Sequence, residues 1–246
     1  MTKGICYYTD AQLSESIAWA VREQIVRAAP RLPIASVSLN HWVTWPVGAT
    51  GQPLMLTGMR GPLMMFRQIL AGLEALTTDV AFLCEHDVLY HPSHFEFEPL
   101  KREPEMVFYN EYVYKVRASD GHAVTYWCNQ GSGLCADRRL LIEHYLKRVA
   151  IVESKGYSNA MGYEPGTHGR RERVDDLACA TWRSAFPNID IRHDSNLSPS
   201  RWRKDQFRDQ RYTKGWVEGD SVPGWGVTAG RFPEFLADVV RGEVVA

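Results

Sequence analysis

The feature that most restricts the fold is a run of five residues without a polar side chain, Val80–Cys84, which ends abruptly in Glu85, His86 and Asp87. A strand with one solvated face would alternate apolar and polar residues, whereas a run that is apolar throughout is typical of a strand covered on both faces. Such strands occur in parallel sheets that carry helices on both sides. The run therefore predicts the central strand of a layered α/β domain.

The beginning of the chain has the alternation of strand and helix that such a sheet requires. Ile5–Thr9 and Ile34–Leu39 are short β-type runs, and between them apolar residues recur at helical spacing until Pro30. The positions of this apolar stripe are Ile17, Val21, Ile25 and Ala28. A second helical pattern begins at Pro62, a favourable first-turn residue. Because β-α-β units have parallel strands, the sequence predicts a parallel, doubly wound sheet.

The pattern changes after residue 90. Met106–Val116 and Ala123–Cys128 are predicted as two strands joined around Asp120-Gly121, a dipeptide typical of hairpins. Further along, periodicity predicts two helices and one short strand, over Arg138–Val149, Asp176–Phe186 and Ile189–Arg192. His41–Gly58, which is rich in Gly, Pro and Trp, is expected to be a long loop.

Composition narrows the class of protein. Of the 246 residues, 45% are hydrophobic and 23% are charged, so the chain can bury a core. The net charge of −1 provides no global basic field for nucleic acid. No apolar stretch approaches the roughly 18 residues of a membrane span, no signal-peptide pattern is present, and the five cysteines lack the spacing of a zinc site. We expect a single cytoplasmic domain over residues 1–246.

Glu85 and Asp87 stand where an open α/β sheet binds its ligands, at the carboxyl end of the buried strand. Alternation along a strand places these two side chains on one side, and His86 is expected to pack elsewhere. Two acids beside an apolar strand are costly unless a cation or hydrogen bonds compensate their charge. The pattern therefore predicts a site for Mg²⁺ or Mn²⁺. The alternative is that one acid caps the next turn and the other is solvated.

Three further patterns bear on chemistry. Asp175 and Asp176 begin a predicted helix, where an acid is commonly an N-cap, and a general base is the second possibility. His193 follows a short strand and is a candidate metal ligand, although a lone His more often has a structural role. Residues 130–133, Gln-Gly-Ser-Gly, form a turn whose glycines permit close approach of the backbone to a ligand.

Taken in order, these features resemble the GT-A class of nucleotide-sugar glycosyltransferases. The shared order is a β-α-β opening, a buried strand ending in acid-X-acid, a Gly-rich loop, two acids and a late His, and it covers most of the chain from Ile5 to His193. The resemblance implies a GT-A type α/β fold, a Rossmann-like mixed sheet flanked by helices with a smaller acceptor-side β-hairpin region. It also implies a nucleotide-sugar-binding half over residues 1–90 and an acceptor-side half over residues 91–246.

The resemblance assigns roles to the acidic residues and the late His. It implies Asp87, Glu85 and His193 as ligands of Mn²⁺ or Mg²⁺, although Glu85 stands where the family's Asp-X-Asp motif has its first Asp. It implies Asp176 as the catalytic base, with Asp175 beside it where the family usually has Glu. The reaction implied is an inverting transfer of a sugar to a hydroxyl group.

The donor implied is a nucleoside diphosphate sugar, with uridine (UDP) the commonest base in the class. The residues expected to contact it are Thr9, Asp10, Arg60, Gly61, Glu85, Gly131, Ser132 and Gly133. Arg170 and Arg171 belong to the Gly- and Arg-rich segment Gly156–Arg173, which we expect either to close over the donor as a lid or to be a surface loop.

The chain is also similar to small glycosyltransferase-like proteins of phages and bacteria, through the runs Cys84–Pro92 and Glu164–Gly169. Some phage enzymes of this class glycosylate hydroxymethylated pyrimidines in DNA, which would place the protein in the host cytoplasm. Between Asp190 and Lys214 there are seven basic and four acidic residues, a net charge of +3. The aromatic residues interleaved with them are Trp202, Phe207, Tyr212 and Trp216. This basic-aromatic strip is able to track a phosphate backbone and stack a base, or is a solvated tail.

Rival functions remain at this point. A glycan or a lipid-linked sugar is the alternative acceptor. A nucleotidyltransferase also uses carboxylates on a doubly wound sheet, but a Gly-rich basic loop would be expected after its first strand, whereas Ala11, Gln12 and Leu13 follow Asp10 here. A module that binds nucleotide-sugar or nucleic acid without catalysis is the third possibility.

Overall fold

A β-α-β unit opens the chain, as the sequence predicts. This computed structural model describes residues 1–99, 105–158, 161, 164–167, 175 and 177–244. Its first elements are β1 (Lys3–Thr9), α1 (Glu15–Ala28), β2 (Ile34–Leu39), β3 (Gly51–Leu56), α2 (Pro62–Ala75), β4 (Val80–Glu85), β5 (Val88–Leu89) and α3 (Pro92–Phe95). They are followed by β6 (Met106–Asn110), β7 (Val113–Arg117), β8 (Ala123–Thr125), β9 (Leu134–Asp137), α4 (Arg138–Lys155), β10 (Ala178–Trp182) and β11 (Asn188–Arg192). The last are β12 (Val217–Gly219), β13 (Ser221–Val222), β14 (Gly226–Val227) and α5 (Phe232–Arg241).

The main sheet has seven strands within the described part of the chain, in the order β10-β6-β9-β4-β1-β2-β3. The strands from β4 to β3 are parallel to their neighbours, β9 is antiparallel to both β4 and β6, and β10 is parallel to β6. Helices cover the sheet, so the prediction of a Rossmann-like mixed α/β sheet flanked by helices is confirmed.

A smaller sheet, in the order β12-β8-β7-β11-β5, lies beside the main one. Its β7 and β8 form the hairpin predicted around Asp120-Gly121. Gly121 has a φ of +75°, and a Cβ there would lie 1.9 Å from the carbonyl oxygen of Thr228. The turn therefore requires Gly for both conformation and space. In this sheet β5 pairs with β11, and the pairing brings the segment after β4 close to the segment after β11.

The two faces of the main sheet bury different helices, because successive side chains of β1 alternate. Ile5 and Tyr7 belong to a core shared with α1 and α5, and Cys6 and Tyr8 to a second core shared with α2 and α4. Burial of one large apolar side chain stabilises a fold by about 1.5–3 kcal/mol. The two cores together fix the position of the β1 and β4 ends, where the predicted site lies. None of the described helices is long and apolar enough to cross a membrane.

The run predicted as one strand over Met106–Val116 is divided into β6 and β7, which belong to different sheets. The break follows Asn110, whose side chain is fully buried. Its Oδ1 accepts a hydrogen bond from the backbone N–H of Tyr112 at 3.0 Å, and its Nδ2 donates to Ser184 Oγ at 2.8 Å. A buried Asn that bonds its own backbone two residues on bends the chain, so the strand does not continue.

The helix predicted over Asp176–Phe186 is wrong for its described part, because Ala178–Trp182 forms the edge strand β10. This strand pairs with β6 in register, Ala178 opposite Met106, and the Trp182 ring stacks on Phe97 with centroids 4.1 Å apart. Its hydrogen-bond partners lie about seventy positions away in sequence, so local periodicity carries no sign of them.

Two other regions hold more structure than the sequence predicts. The loop expected over His41–Gly58 includes β3, which pairs with β2 along its whole length. The polar tail ends in α5, whose apolar face packs against α1 through Phe235 and Val239. Both elements are edge or terminal pieces, which gain their order from a neighbour rather than from a strong pattern of their own.

Candidate functional site

A cleft opens at the carboxyl edge of the main sheet, where β1 and β4 end. The two strands are paired, with Tyr8 opposite Glu85, so the residues that follow them share this edge. Asp10 and Asp87 both line the cleft, together with residues of α2 and of the segment after β11. This is the position at which open α/β sheets bind their ligands.

Three side chains with metal-ligating atoms meet beside this cleft: His86 and Asp87, which line it, and His193, and their ligand atoms all lie within 4.8 Å of one another. His86 and Asp87 form the turn that follows β4 and leads into β5. The Asp87 carbonyl accepts a hydrogen bond from the N–H of Ile191 at 2.8 Å, beside the β5–β11 pairing. Because His193 directly follows β11, this pairing places its Nε2 3.4 Å from Asp87 Oδ2.

The Asp87 carboxylate is 6% exposed and remains charged. Burial by itself would raise the pKa of Asp87, but the hydrogen bond from His193 and the charges of His86, His193 and Arg192 together hold that pKa below its usual range. A buried anion flanked by two imidazoles is a donor set that fits a divalent cation. Asp87 and His193, predicted from separate parts of the sequence, are therefore brought together.

The Asn196 amide lies against two of these donors. Its Nδ2 donates to Asp87 Oδ2 at 2.6 Å and lies 3.2 Å from His193 Nε2, while its Oδ1 accepts from the His193 N–H at 2.7 Å. The Ser195 N–H donates to His193 Nδ1 at 3.2 Å, so the neutral imidazole carries its proton on Nε2. Binding of a cation through Nε2 therefore requires Ser195 and Asn196 to shift.

Glu85 lies in a different environment from Asp87. Its Oε1 accepts a hydrogen bond from Tyr8 Oη at 2.6 Å, and its backbone N–H donates to Tyr90 Oη at 2.9 Å. Burial, and after it the charge of Asp87, raise the pKa of Glu85 to about 8, so the group is largely protonated at neutral pH. Glu85 lines the cleft, but its carboxylate is not one of the three clustered donors of the described chain. A metal-ligating role for it stays a prediction.

Asp10 and Arg60 join two sides of the cleft. Arg60 Nε donates to Asp10 Oδ2 at 2.5 Å, and its Nη2 donates to the carbonyl oxygen of Ser195. On the other side, His86 Nε2 lies 3.6 Å from Asp10 Oδ1. Gly61, next to Arg60, lines the cleft and would have nothing within 4 Å of an added Cβ. Asp10 therefore lies between the guanidinium of Arg60, just before α2, and the imidazole of His86, which belongs to the metal-ligating cluster.

The predicted glycine loop is a single 3-10 turn, Gly131–Gly133, just before β9. Gly131 and Ser132 line the cleft, and a Cβ on Gly131 would lie 3.4 Å from Glu85 Oε1. Gly133 packs instead against β6, where a Cβ would lie 2.9 Å from the carbonyl oxygen of Asn110. The loop therefore has one glycine at the ligand cleft and another that is needed for packing.

A buried polar network supports this turn from behind. Gln130 Nε2 donates to Asp190 Oδ2 at 2.7 Å, and Lys115 Nζ donates to Gln130 Oε1 at 3.4 Å. Burial by itself would lower the pKa of Lys115, but Cys128 and Asp190 raise it above its usual range, so the ammonium stays charged. Gln130 is thus fixed at both ends of its amide, at the cleft wall.

Asp175 lies outside the cleft lining that the structure describes. Its Oδ2 is 2.9 Å from His144 Nδ1, and its side chain is 4% exposed. Burial by itself would raise the pKa of Asp175, but the neighbouring imidazole of His144 lowers it. Its Oδ1 accepts from the Leu177 N–H at 3.1 Å, so Asp175 closes the turn before β10. The N-cap expected from the sequence does not exist here, since β10 is a strand.

Three predicted site residues, Asp176, Arg170 and Arg171, lie outside the described residues, as does much of the segment expected as a lid. Thr9 is described and is 3% exposed. Its Oγ1 accepts from the Ala11 N–H at 3.0 Å, which shapes the turn that presents Asp10. Thr9 therefore contacts the turn rather than the described lining of the cleft.

Most aromatic residues of the basic-aromatic strip pack against other side chains. Three of them surround Tyr126 in a small cluster: Trp202, Phe207 and Trp216. Tyr212 remains 64% exposed, and Trp127, on the adjacent hairpin, is 46% exposed with Lys214 Nζ 4.3 Å from its ring centroid. Packing therefore accounts for three of the four rings, and Tyr212 is free of that cluster.

Sequence reasoning missed several residues of the cleft. Strand alternation predicts that His86 faces away from its acidic neighbours, but β4 ends at Glu85 and alternation does not extend into the turn. Tyr8 carries a usable signal, because it stands two positions before Asp10 on the last residues of β1. Asn196 follows His193 by three positions in the tail, and nothing local in the sequence marks it.

The fold and cleft define a Rossmann-like mixed α/β protein with a candidate divalent-metal centre at the carboxyl edge of its sheet. No protein-family model matches the chain, and no curated protein matches it. Among solved structures it is similar to the inositol-1-phosphate CTP transferase from T. maritima, with 9% sequence identity, a TM-score of 0.45, and coverage of 100% of this chain and 98% of that one.

Proposed function

We propose that the protein is a metal-dependent, inverting glycosyltransferase that moves a sugar from a nucleoside diphosphate sugar, of which a UDP-sugar is the first candidate, to an acceptor hydroxyl. The observation that carries the proposal is the cluster of Asp87, His86 and His193, of which Asp87 and His86 line the cleft where β1 and β4 end. The order of motifs that resembles GT-A glycosyltransferases supports it. We assign residues 1–90 to donor binding and residues 91–246 to the acceptor side.

The donor set favours Mn²⁺ over Mg²⁺. Two imidazoles and one carboxylate would hold the ion, and nitrogen ligands suit transition metals better than Mg²⁺, which takes oxygen ligands. A bound cation would supply positive charge that stabilises the departing diphosphate. The protein contributes by keeping Asp87 ionised in a nearly buried site. The two imidazoles and Arg192 have this effect, because they lower the pKa of Asp87.

The other cleft residues are assigned by position. Arg60 and Arg192 line the cleft and supply fixed positive charge, and Gly131 allows the backbone to approach a sugar without a side chain in between. We retain Asp10 and Gly61 as donor contacts. Arg170 and Arg171 stay proposed as a lid, and alanine replacement of both should weaken donor binding.

Asp176 is proposed as the general base that takes the proton of the acceptor hydroxyl. General-base assistance contributes roughly 10²–10⁴-fold to a rate, so Asp176→Asn should lose turnover by about that factor while donor binding persists. Asp175 is the matched control, because its contact with His144 points to a structural role. Asp175→Asn should lower stability, and a loss of turnover confined to Asp175→Asn would reverse the assignment.

For the acceptor we propose a hydroxymethylated pyrimidine in DNA, with a glycan or a lipid-linked sugar as the rival. The exposed Tyr212 and the Trp127–Lys214 pair offer aromatic and basic groups on which a nucleic-acid strand could stack, which supports this acceptor. Binding of such a strand should weaken steeply as salt rises, since each phosphate contact releases counterions. A flat salt dependence of acceptor binding would favour the glycan.

The test is a thermal-shift titration of the purified chain with UDP, GDP, CDP and ADP, each with Mn²⁺ and with a chelator. A nucleotide at about 100 times its Kd adds about 2.7 kcal/mol, which in a chain of this size corresponds to a rise in Tm of about 5–10 °C. We expect the rise only with Mn²⁺ and its loss in Asp87→Asn. Asp120→Asn, in the exposed hairpin turn, is the matched control and should keep the shift.

Product analysis then separates the two classes of transferase. A glycosyltransferase releases a nucleoside diphosphate from a nucleotide sugar, whereas a nucleotidyltransferase releases pyrophosphate from a nucleoside triphosphate. Pyrophosphate release, or a nucleotide-induced shift that chelation leaves unchanged, would contradict the proposal.

A further inference from the structure

Gln68 is a buried polar residue of the cleft whose amide can point in one direction only. It lies on α2, is 3% exposed, and lines the cleft wall. Its Nε2 donates to two backbone carbonyls, that of Thr9 at 2.7 Å and that of Val37 at 3.2 Å. Both amide hydrogens are therefore used. If the amide were turned over, its oxygen would face the two carbonyl oxygens of Thr9 and Val37 with no hydrogen between them.

The fixed amide leaves its oxygen as the polar atom that has no partner. Among the residues that the structure describes, none donates a hydrogen bond to Gln68 Oε1. Because no protein group pairs this oxygen and Gln68 lines the cleft, the oxygen is available to a ligand that brings an N–H donor. The cleft therefore presents a fixed acceptor to whatever enters it.

The surroundings of Gln68 indicate what kind of ligand would bring that donor. The neighbouring lining is apolar, formed by Leu39, Met64, Met65 and Ile69. Apolar walls with one oriented polar atom are typical of sites for flat heterocycles. Two residues of the metal-ligating cluster, His86 and Asp87, line the same cleft. A ligand with an aromatic ring at one end and phosphate groups at the other matches both ends.

We infer that Gln68 selects the base of the donor nucleotide, its Oε1 accepting the ring imino N–H that uracil carries at N3 and guanine at N1. Cytosine and adenine have a ring nitrogen lone pair at the corresponding position, which would face the amide oxygen and repel it. The inference rests on the proposed use of a nucleotide donor and adds a base-reading residue that the sequence does not reveal.

The decisive probe is a change in the ligand, which needs no protein variant. With Mn²⁺ present, the wild-type chain should bind UDP at least about tenfold more tightly than the diphosphate of N3-methyluridine, the factor expected for one hydrogen bond with its donor removed. GDP and the diphosphate of N1-methylguanosine form the second arm. The arm with the higher affinity and the larger methyl effect identifies the base.

A variant and its matched control then assign the effect to Gln68. Gln68→Leu should reduce the ratio of UDP to methylated-UDP affinity to below about twofold, since neither ligand finds an acceptor. Gln24→Leu removes another buried glutamine, which donates from α1 to the Tyr90 carbonyl at 3.0 Å outside the cleft, and should keep the ratio. Persistence of the full ratio in Gln68→Leu would overturn the assignment.

The outcomes separate this inference from the proposed function. Equal binding of UDP and its methylated form, or preferential binding of CDP or ADP, would overturn the role of Gln68 while a nucleotide site remains. Failure of every nucleoside diphosphate to bind, with Mn²⁺ present, would overturn the proposed function and this inference with it.

Discussion

Replacement of His94 by Gln should make the protein markedly less sensitive to acid. His94 is fully buried on α3, and its Nδ1 faces the Nδ2 groups of both Asn110 and Asn188 at 3.1 Å. Each amide is held in that orientation, because the oxygen of Asn110 accepts from the Tyr112 N–H and the oxygen of Asn188 from the His91 N–H. Nδ1 is therefore an acceptor, and a proton placed on it would face two donors.

The size of the effect follows from the pKa of His94, which burial lowers to about 3. In an unfolded chain the pKa of a histidine is about 6.5. Between these values the unfolded chain binds a proton that the folded chain does not, so the free energy of unfolding falls as the pH falls. The contribution is complete above about pH 6.5 and decreases by about 1.4 kcal/mol per pH unit below it, which amounts to about 2 kcal/mol between pH 7 and pH 5.

Denaturant unfolding of the wild type and of His94→Gln at pH 8, 7, 6 and 5, with a chelator present, measures this contribution. The offset between the two proteins at pH 8 gives the packing cost of the substitution, since both side chains are then neutral. As the pH falls to 5, the free energy of unfolding of the wild type should fall by about 2 kcal/mol more than that of His94→Gln. Parallel curves over this range would refute the reasoning, because they would mean that His94 is protonated equally in both states.

Other substitutions test individual contacts. Asp175→Asn should lower the free energy of unfolding by about 1–3 kcal/mol, because His144 loses the negative charge of its buried partner; an unchanged Tm by calorimetry would contradict the contact. Gly121→Ala should cost about 3 kcal/mol or more, since the methyl group collides with the Thr228 carbonyl at a φ of +75°, and near-neutral behaviour in denaturant would argue against this turn. Gly131→Ala meets only ordinary contacts, so its stability should change by less than about 1 kcal/mol while UDP affinity in a titration falls; undiminished affinity would remove Gly131 from the donor site.

The predictable part of the site is the part that depends on a single strand. Asp10 and Asp87 follow β1 and β4, and apolar runs that end in polar residues are visible in any window of ten positions. His193 follows β11 in the same way. His193 lies next to Asp87 because β5 pairs with β11. These two strands are about one hundred positions apart in the sequence and share no local pattern.

The failures have the same origin in each case. Asp176–Phe186 has a helical pattern, yet β6 offers its 178–182 segment a row of free hydrogen-bond partners, and pairing outweighs the modest propensity difference. Strand alternation predicts that His86 faces away from Asp87, but β4 ends at Glu85, so His86 lies in a turn where alternation does not apply. Gln68 follows Arg67 in α2 and has no local sequence signal of its own, and only the carbonyl oxygens of Thr9 and Val37 fix the direction of its amide.

The sequence by itself determined the class of fold, the central strand and the edge of the sheet at which ligands would bind, because these follow from the period of apolar residues along one element. Only the tertiary structure decided which polar side chains meet at that edge: His86 and His193 with Asp87, Glu85 with Tyr8, and Asp175 with His144. The physical reason is that burial, hydrogen bonding and charge act over a few ångströms of space, and the chain brings distant residues within that range by pairings that no local pattern encodes.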